Sequence, residues 1–92
     1  MLTLNSDFVY RKIFDVNLLI PVRRNSISND TLSLNNTAGV VFQECANAND
    51  AHSLAMLLCE KFIGVSKEEI YADLKTYIED LISSGLLIEK RS

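Results

Sequence analysis

His52, Cys45 and Cys59 are the side chains of this 92-residue chain best suited to acid–base, thiol or metal chemistry. A metal or catalytic histidine needs partners, and no Cys, Asp or Glu stands around His52 at ligand spacing. It falls in the first turn of a predicted helix and reads as an exposed helix residue. Cys45 and Cys59 form no C-x-x-C pair, and each falls on the apolar face of a different helix. That placement fits small core residues rather than a redox or zinc pair. Asp73, Glu79 and Asp80 lie off the core face of the longest helix, with no nucleophile motif or Gly-rich phosphate loop beside them, and read as a solvated acidic surface. Arg23 and Arg24 sit in a polar loop. The chain thus presents no catalytic residues, no metal ligands and no cofactor motif, and is expected not to be an enzyme.

One feature remains, on the stretch Ser66–Leu87 (SKEEIYADLKTYIEDLISSGLL). Ser66 and Glu69 have the S-x-x-E spacing of a capping box, with Val65 and Ile70 spaced as a hydrophobic staple. Gly85 is placed to close the helix in a left-handed conformation, with Leu86 folding back toward Leu81. The helix between should run roughly 17 residues and about 25 Å. Ile70, Leu74, Tyr77, Ile78 and Leu81 form its core face. Beside them runs a second row, Tyr71, Lys75, Ile78 and Ile82, at i, i+4, i+7 and i+11. One flank is therefore more apolar than a surface helix needs. It is either covered by neighbouring strands or forms the wall of a groove.

The rest of the chain must position that helix. Met1–Asp7 reads as a flexible N-terminus, and 8–92 as a single domain. Phe8–Ile13 alternates and is rich in β-formers, Phe14–Asn17 is the expected turn, and Asn17–Val22 a second strand with Pro21 at an edge or strand end. Arg23–Asp30 is a connecting loop, and Thr31–Leu34 a third short strand. Asn35 is an N-cap for a helix over roughly 36–46. Asp50 caps the next, which turns Leu54, Leu57, Leu58 and Phe62 inward and stops near Gly64. The order predicts an α+β, winged-helix-like fold of three short N-terminal antiparallel strands followed by three helices, with a short apolar tail Leu86–Ile88.

Composition narrows the partners. Apolar residues make up 48% of the chain, enough for one small core. A net charge of −3 and a pI near 5.0 argue against a phosphate-binding surface, so no nucleic-acid partner is expected. No apolar run approaches a membrane span, and no membrane partner is expected. The N-terminus lacks the basic-then-apolar pattern of a signal peptide. Two cysteines without a framework pattern fit a reducing cytosol, which makes the expected location cytoplasmic.

Leu32–Phe62 (LSLNNTAGVVFQECANANDAHSLAMLLCEKF) resembles the PqqD-like family, the small proteins of pyrroloquinoline quinone biosynthesis and their relatives. Leu34, Asn35, Thr37 and Ala38 match that family's Leu-Asn-x-Thr-Ala opening, Val41 its apolar position, and Phe42 stands where the family has Trp. On the long helix Ile70, Asp73, Leu74, Tyr77, Ile78, Leu81, Gly85 and Leu86 fit the family pattern without a gap. The strand pair with Leu19, Ile20 and Pro21 is similar to the family's Leu-Val-Pro-like stretch. In three places the chain departs: Ala46–Asn47 replaces an Asp-Gly turn, Asp50 replaces Thr, and Glu44 stands at a usually apolar position.

The resemblance implies a recognition element for ribosomally made, post-translationally modified peptides. The leader segment of a precursor peptide would add as a strand beside Thr31, Leu32, Ser33 and Leu34. It would lie in the groove between that strand and the long helix, whose wall is Tyr71, Lys75, Ile78 and Ile82. The domain would present it to a peptide-modifying enzyme, often a radical SAM enzyme. Strand addition suits such a partner, since main-chain hydrogen bonds give affinity and pockets for alternate side chains give specificity. The alternative is a winged-helix DNA-binding or regulatory module. Charge speaks against it: Ser66–Gly85 holds only Lys67 and Lys75 against five acids. A structural subunit of a larger complex is the third possibility, and would bind the enzyme but not the precursor.

Overall fold

In the computed structural model, which describes residues 1–61 and 66–90, the chain builds a hairpin first. Strands β2 (Phe8–Ile13) and β3 (Val16–Pro21) pair antiparallel from Phe8↔Pro21 to Ile13↔Val16. The turn is therefore only Phe14–Asp15, shorter than the expected Phe14–Asn17, because Val16 and Asn17 are already in the ladder. A two-residue loop needs positive φ, ordinarily supplied by Gly or Asn. Here Phe14 adopts φ 54° with its ring 95% exposed. Pro21 is the last residue of β3, where its missing N–H costs no ladder bond.

The loop after β3 is organised by Asn25, whose carboxamide oxygen accepts from the amides of Ile27 and Ser28 (2.8 Å each). It delivers the chain to β4 (Leu32–Leu34), which pairs with β3 through Leu19↔Leu32, Leu18↔Ser33 and Asn17↔Leu34. The sheet order is β2-β3-β4. Thr31 precedes the ladder rather than joining it.

Helices α1 (Asn36–Glu44) and α2 (Ala51–Cys59) start as their caps dictate. Asn35 accepts from the Ala38 amide and Asp50 from the Ser53 amide, both at 2.8 Å. The bond to Ser53 holds the Asp50 carboxyl below its usual range. The last turn of the expected 36–46 helix tightens into a 3-10 turn, Cys45–Asn47. Glu44 does not enter the core beneath it. Its carboxylate accepts from Asn47 Nδ2 (3.0 Å) and meets Lys61 Nζ at 3.4 Å, joining the turn to the end of α2 and lowering its pKa. Phe62, Gly64 and Val65, assigned above to the end of the second helix and to a staple, lie outside the described residues.

Helix α3 (Lys67–Ser84) covers nearly the span expected. The capping box does not form: the Ser66 side chain makes no cap bond, and only its carbonyl engages, accepting from the Ile70 amide at 3.1 Å. Glu68 and Glu69 instead place two negative charges on the helix's positive end. The other end is closed as expected. Gly85 takes φ 88° and its N–H bonds the Ile82 carbonyl. Ser84 Oγ then stands between the Leu86 amide, from which it accepts, and the Leu81 carbonyl, to which it donates. An added Cβ at Gly85 would lie 3.2 Å from Ile27 Cδ1, which can yield, but the positive φ cannot. Gly85→Ala should lower the unfolding free energy by about 1 kcal/mol, read as a shift in urea midpoint at constant slope.

The N-terminus enters the fold. Leu2–Leu4 forms β1, paired antiparallel with β5 (Leu87–Glu89), where an unstructured tail was expected. Leu2 and Leu87 are each 0% exposed, so burial of two leucines offsets part of the entropy of ordering both ends. Asn5 ties the same corner, its Nδ2 donating to the Gly85 carbonyl and its amide to that of Leu86, both at 2.9 Å.

Leu2, Leu19, Val41, Leu54, Leu58, Ile78 and Leu87 make the centre of a single core. Among the described residues, one buried polar side chain borders it. Asn17 accepts from Tyr10 Oη and donates to Asn36 Oδ1 (3.5 Å), and Gln43 Nε2 donates to Tyr10 Oη at 2.8 Å. Gly39 makes room for this arrangement, because a Cβ there would overlap the Asn17 carboxamide. Gly39→Ala should cost about 1–3 kcal/mol, as overpacking beside a hydrogen-bonded core group does, and Asn17→Ala in the same chain should recover part of it.

Candidate functional site

The strand β4 follows from a short alternating run. Leu32 and Leu34 turn half-buried toward the core while Ser33 and Thr31 face out. Since β3 is its one ladder neighbour in the sheet, its second edge carries backbone donors and acceptors unpaired by any described strand. An edge of this kind is a template for another extended chain.

Helix α3 supplies the residues of the second apolar row. Tyr71, Lys75 and Ile82 are half-buried, and Tyr71 and Ile82 pack on the border of the core. Ile78 does not belong with them. It is 0% exposed and lies wholly within the core, because the row and the core face overlap at that turn of the helix. Sequence periodicity put Ile78 in both sets, and burial assigns it to one.

Two contacts orient this flank. At the C-terminal end of α3, Ile27 lies beside Gly85, so the loop leading into β4 reaches that end of the helix. At the N-terminal end, the Tyr71 hydroxyl is hydrogen-bonded to His52 Nδ1 of α2, and the two rings meet edge to face with centroids 5.5 Å apart. His52, Met56, Lys67, Glu68 and Tyr71 enclose a mostly apolar depression of about 360 Å³ between α2 and α3. Periodicity signalled none of this beyond Tyr71. The trace that remained was His52 and Met56 at i, i+4 on one helix.

Cys45 and Cys59 are free and buried, and burial raises the Cys45 thiol above its usual pKa, which keeps it protonated and inert. Among the described residues no cluster of three or more His, Cys, Asp or Glu is placed to hold a metal ion. Nor is any described helix long and apolar enough to cross a membrane.

A solved structure of TbiB1 in complex with the TbiA(beta) leader peptide has the same fold. It superposes with a TM-score of 0.69 over 98% of this chain and 99% of the other, at 13% sequence identity. No curated protein sequence matches the chain. The family model described as coenzyme PQQ synthesis protein D (PqqD) matches residues 18–87. That span runs from β3 through β4 and all three helices to the first residue of β5, and so takes in both the free strand edge and the flank of α3: the chain belongs to the PqqD family.

Proposed function

We propose that the chain binds the leader segment of a ribosomally made precursor peptide and delivers it to a peptide-modifying enzyme. The observation that carries this reading is the unpaired edge of β4 in a fold shared with TbiB1, a protein captured with a leader peptide. The leader adds as a strand along Thr31–Leu34, its backbone completing the β4 row. Tyr71, Lys75 and Ile82 form the wall that reads alternate leader side chains. Tyr71 and Ile82 take apolar anchors and Lys75 an acidic residue. Ile78 supports the wall from behind. The handling enzyme is a radical SAM enzyme in this reading, and the domain itself performs no chemistry.

Hydrogen exchange tests the strand addition directly. Titrated with a synthetic leader peptide of a candidate precursor, the protein should gain protection at the amides of β4 and remain unchanged at the amides of β2. Leader binding without protection anywhere in 31–34 would refute the mode. Adding a purified candidate radical SAM enzyme should give a ternary complex by gel filtration, and a leader that binds only in the enzyme's absence would refute delivery.

A further inference from the structure

The depression between α2 and α3 lies outside the proposed strand-addition row, yet shares Tyr71 with it. The reach of the two elements bears on what it does. β4 offers three paired residues, roughly 10 Å of extended chain. The row from Tyr71 to Ile82 spans eleven helical steps, roughly 16 Å. A peptide that follows the whole row therefore outruns the strand by about two residues. Because Ile27 occupies the C-terminal end of α3, the overhang falls at the N-terminal end, where Tyr71 borders the depression.

The lining matches one kind of side chain. Met56 is 52% exposed and has no cover among the described residues. Its flexible thioether and the Tyr71 and His52 rings, already edge to face, favour an aromatic guest through sulfur–ring and ring–ring contact. The hydrogen bond between Tyr71 and His52 orients the two rings before any ligand arrives. Lys67 and Glu68 stand at the mouth with opposite charges and impose no net sign.

We infer that this depression is a second anchor site, taking one aromatic side chain of the leader peptide just beyond the segment paired with β4. The inference rests on the strand-addition reading, and two experiments separate their failures. In the first, N-acetyl-phenylalaninamide and N-acetyl-leucinamide are titrated into the full chain and followed by NMR. The phenylalanine probe should bind at about millimolar strength. Saturable shifts should centre on the Met56 methyl and the rings of His52 and Tyr71, weaker with the leucine probe and lost in Met56→Glu. Shifts that are absent, dispersed over the surface or equal for both probes overturn an aromatic site. In the second, the leader is titrated into Met56→Glu, whose exposed position leaves the fold intact by circular dichroism. Affinity should fall on the order of tenfold while protection of the β4 amides persists. Unchanged affinity overturns the second anchor and leaves strand addition standing. Wild-type protein that gains no protection at β4 overturns strand addition and the anchor together.

Discussion

Ile78→Ala should lower the unfolding free energy by about 2–5 kcal/mol, the largest effect expected of any single truncation on α3. Ile78 is 0% exposed and sits between Leu74 and Leu81 on the core face. Removing its side chain loses the transfer energy and leaves a cavity that the surrounding core only partly collapses to fill. A domain of this size with a total stability of about 5–15 kcal/mol would keep its fold but lose a large share of its margin. The melting temperature should drop by more than roughly 10 °C. The check is a urea titration read by far-ultraviolet circular dichroism. A midpoint within experimental scatter of wild type would return Ile78 to the groove wall and remove it from the core.

Ile82→Asp should do the reverse, weakening the leader complex far more than the fold. Ile82 is half-buried at the border of the core, so the chain tolerates a polar group there at modest cost, whereas a bound leader would seal that carboxylate in an apolar contact. Losing an apolar anchor and burying a carboxylate in its place should cost at least about 2 kcal/mol of binding, roughly a 30-fold loss in affinity. Lys75→Ala, on the same wall but with its ammonium reaching solvent, should cost less than about 1 kcal/mol and fade with added salt. Calorimetric titration with the leader measures both, after circular dichroism has shown each variant folded. Folded Ile82→Asp protein that binds the leader as tightly as wild type would place the site elsewhere.

The contrast between Ile78 and Ile82 also marks where sequence reading stops. Spacing alone puts both on one row, because residues four apart on a helix differ by only a small rotation. Which of them meets solvent depends on how α3 is rolled against α2 and the sheet. Signals that act within a few residues were legible: Asn35 and Asp50 cap their helices, and Gly85 ends the last one in a left-handed turn. The box at Ser66 has the right letters, but its hydroxyl is not engaged. The pairing of β1 with β5 was invisible, since each strand is three residues long and its partner lies at the far end of the chain. The buried place of Asn17 was hidden too, because it depends on the gap left by Gly39 on another element. As for the candidate site, the free strand and the apolar flank could be read from pattern and family likeness. The depression beside Tyr71 needed two helices brought together in space.

That end-to-end pairing has a topological consequence. The Met1 amino group donates to the Lys90 carbonyl at 2.9 Å, and the Lys90 amide returns a bond to Met1 at 2.8 Å. Entry and exit of the described chain thus share one doorway. A circular permutant that bridges the doorway with a few glycines and opens the chain between Phe14 and Asp15 keeps every sheet pairing and releases the positive φ of Phe14. It exchanges which pairing is local: β1–β5 becomes a hairpin, while β2–β3 becomes the long-range closure. Since loop closure sets folding speed more than stability, the permutant would reach the same fold in the opposite order, its ends docking first and its hairpin last.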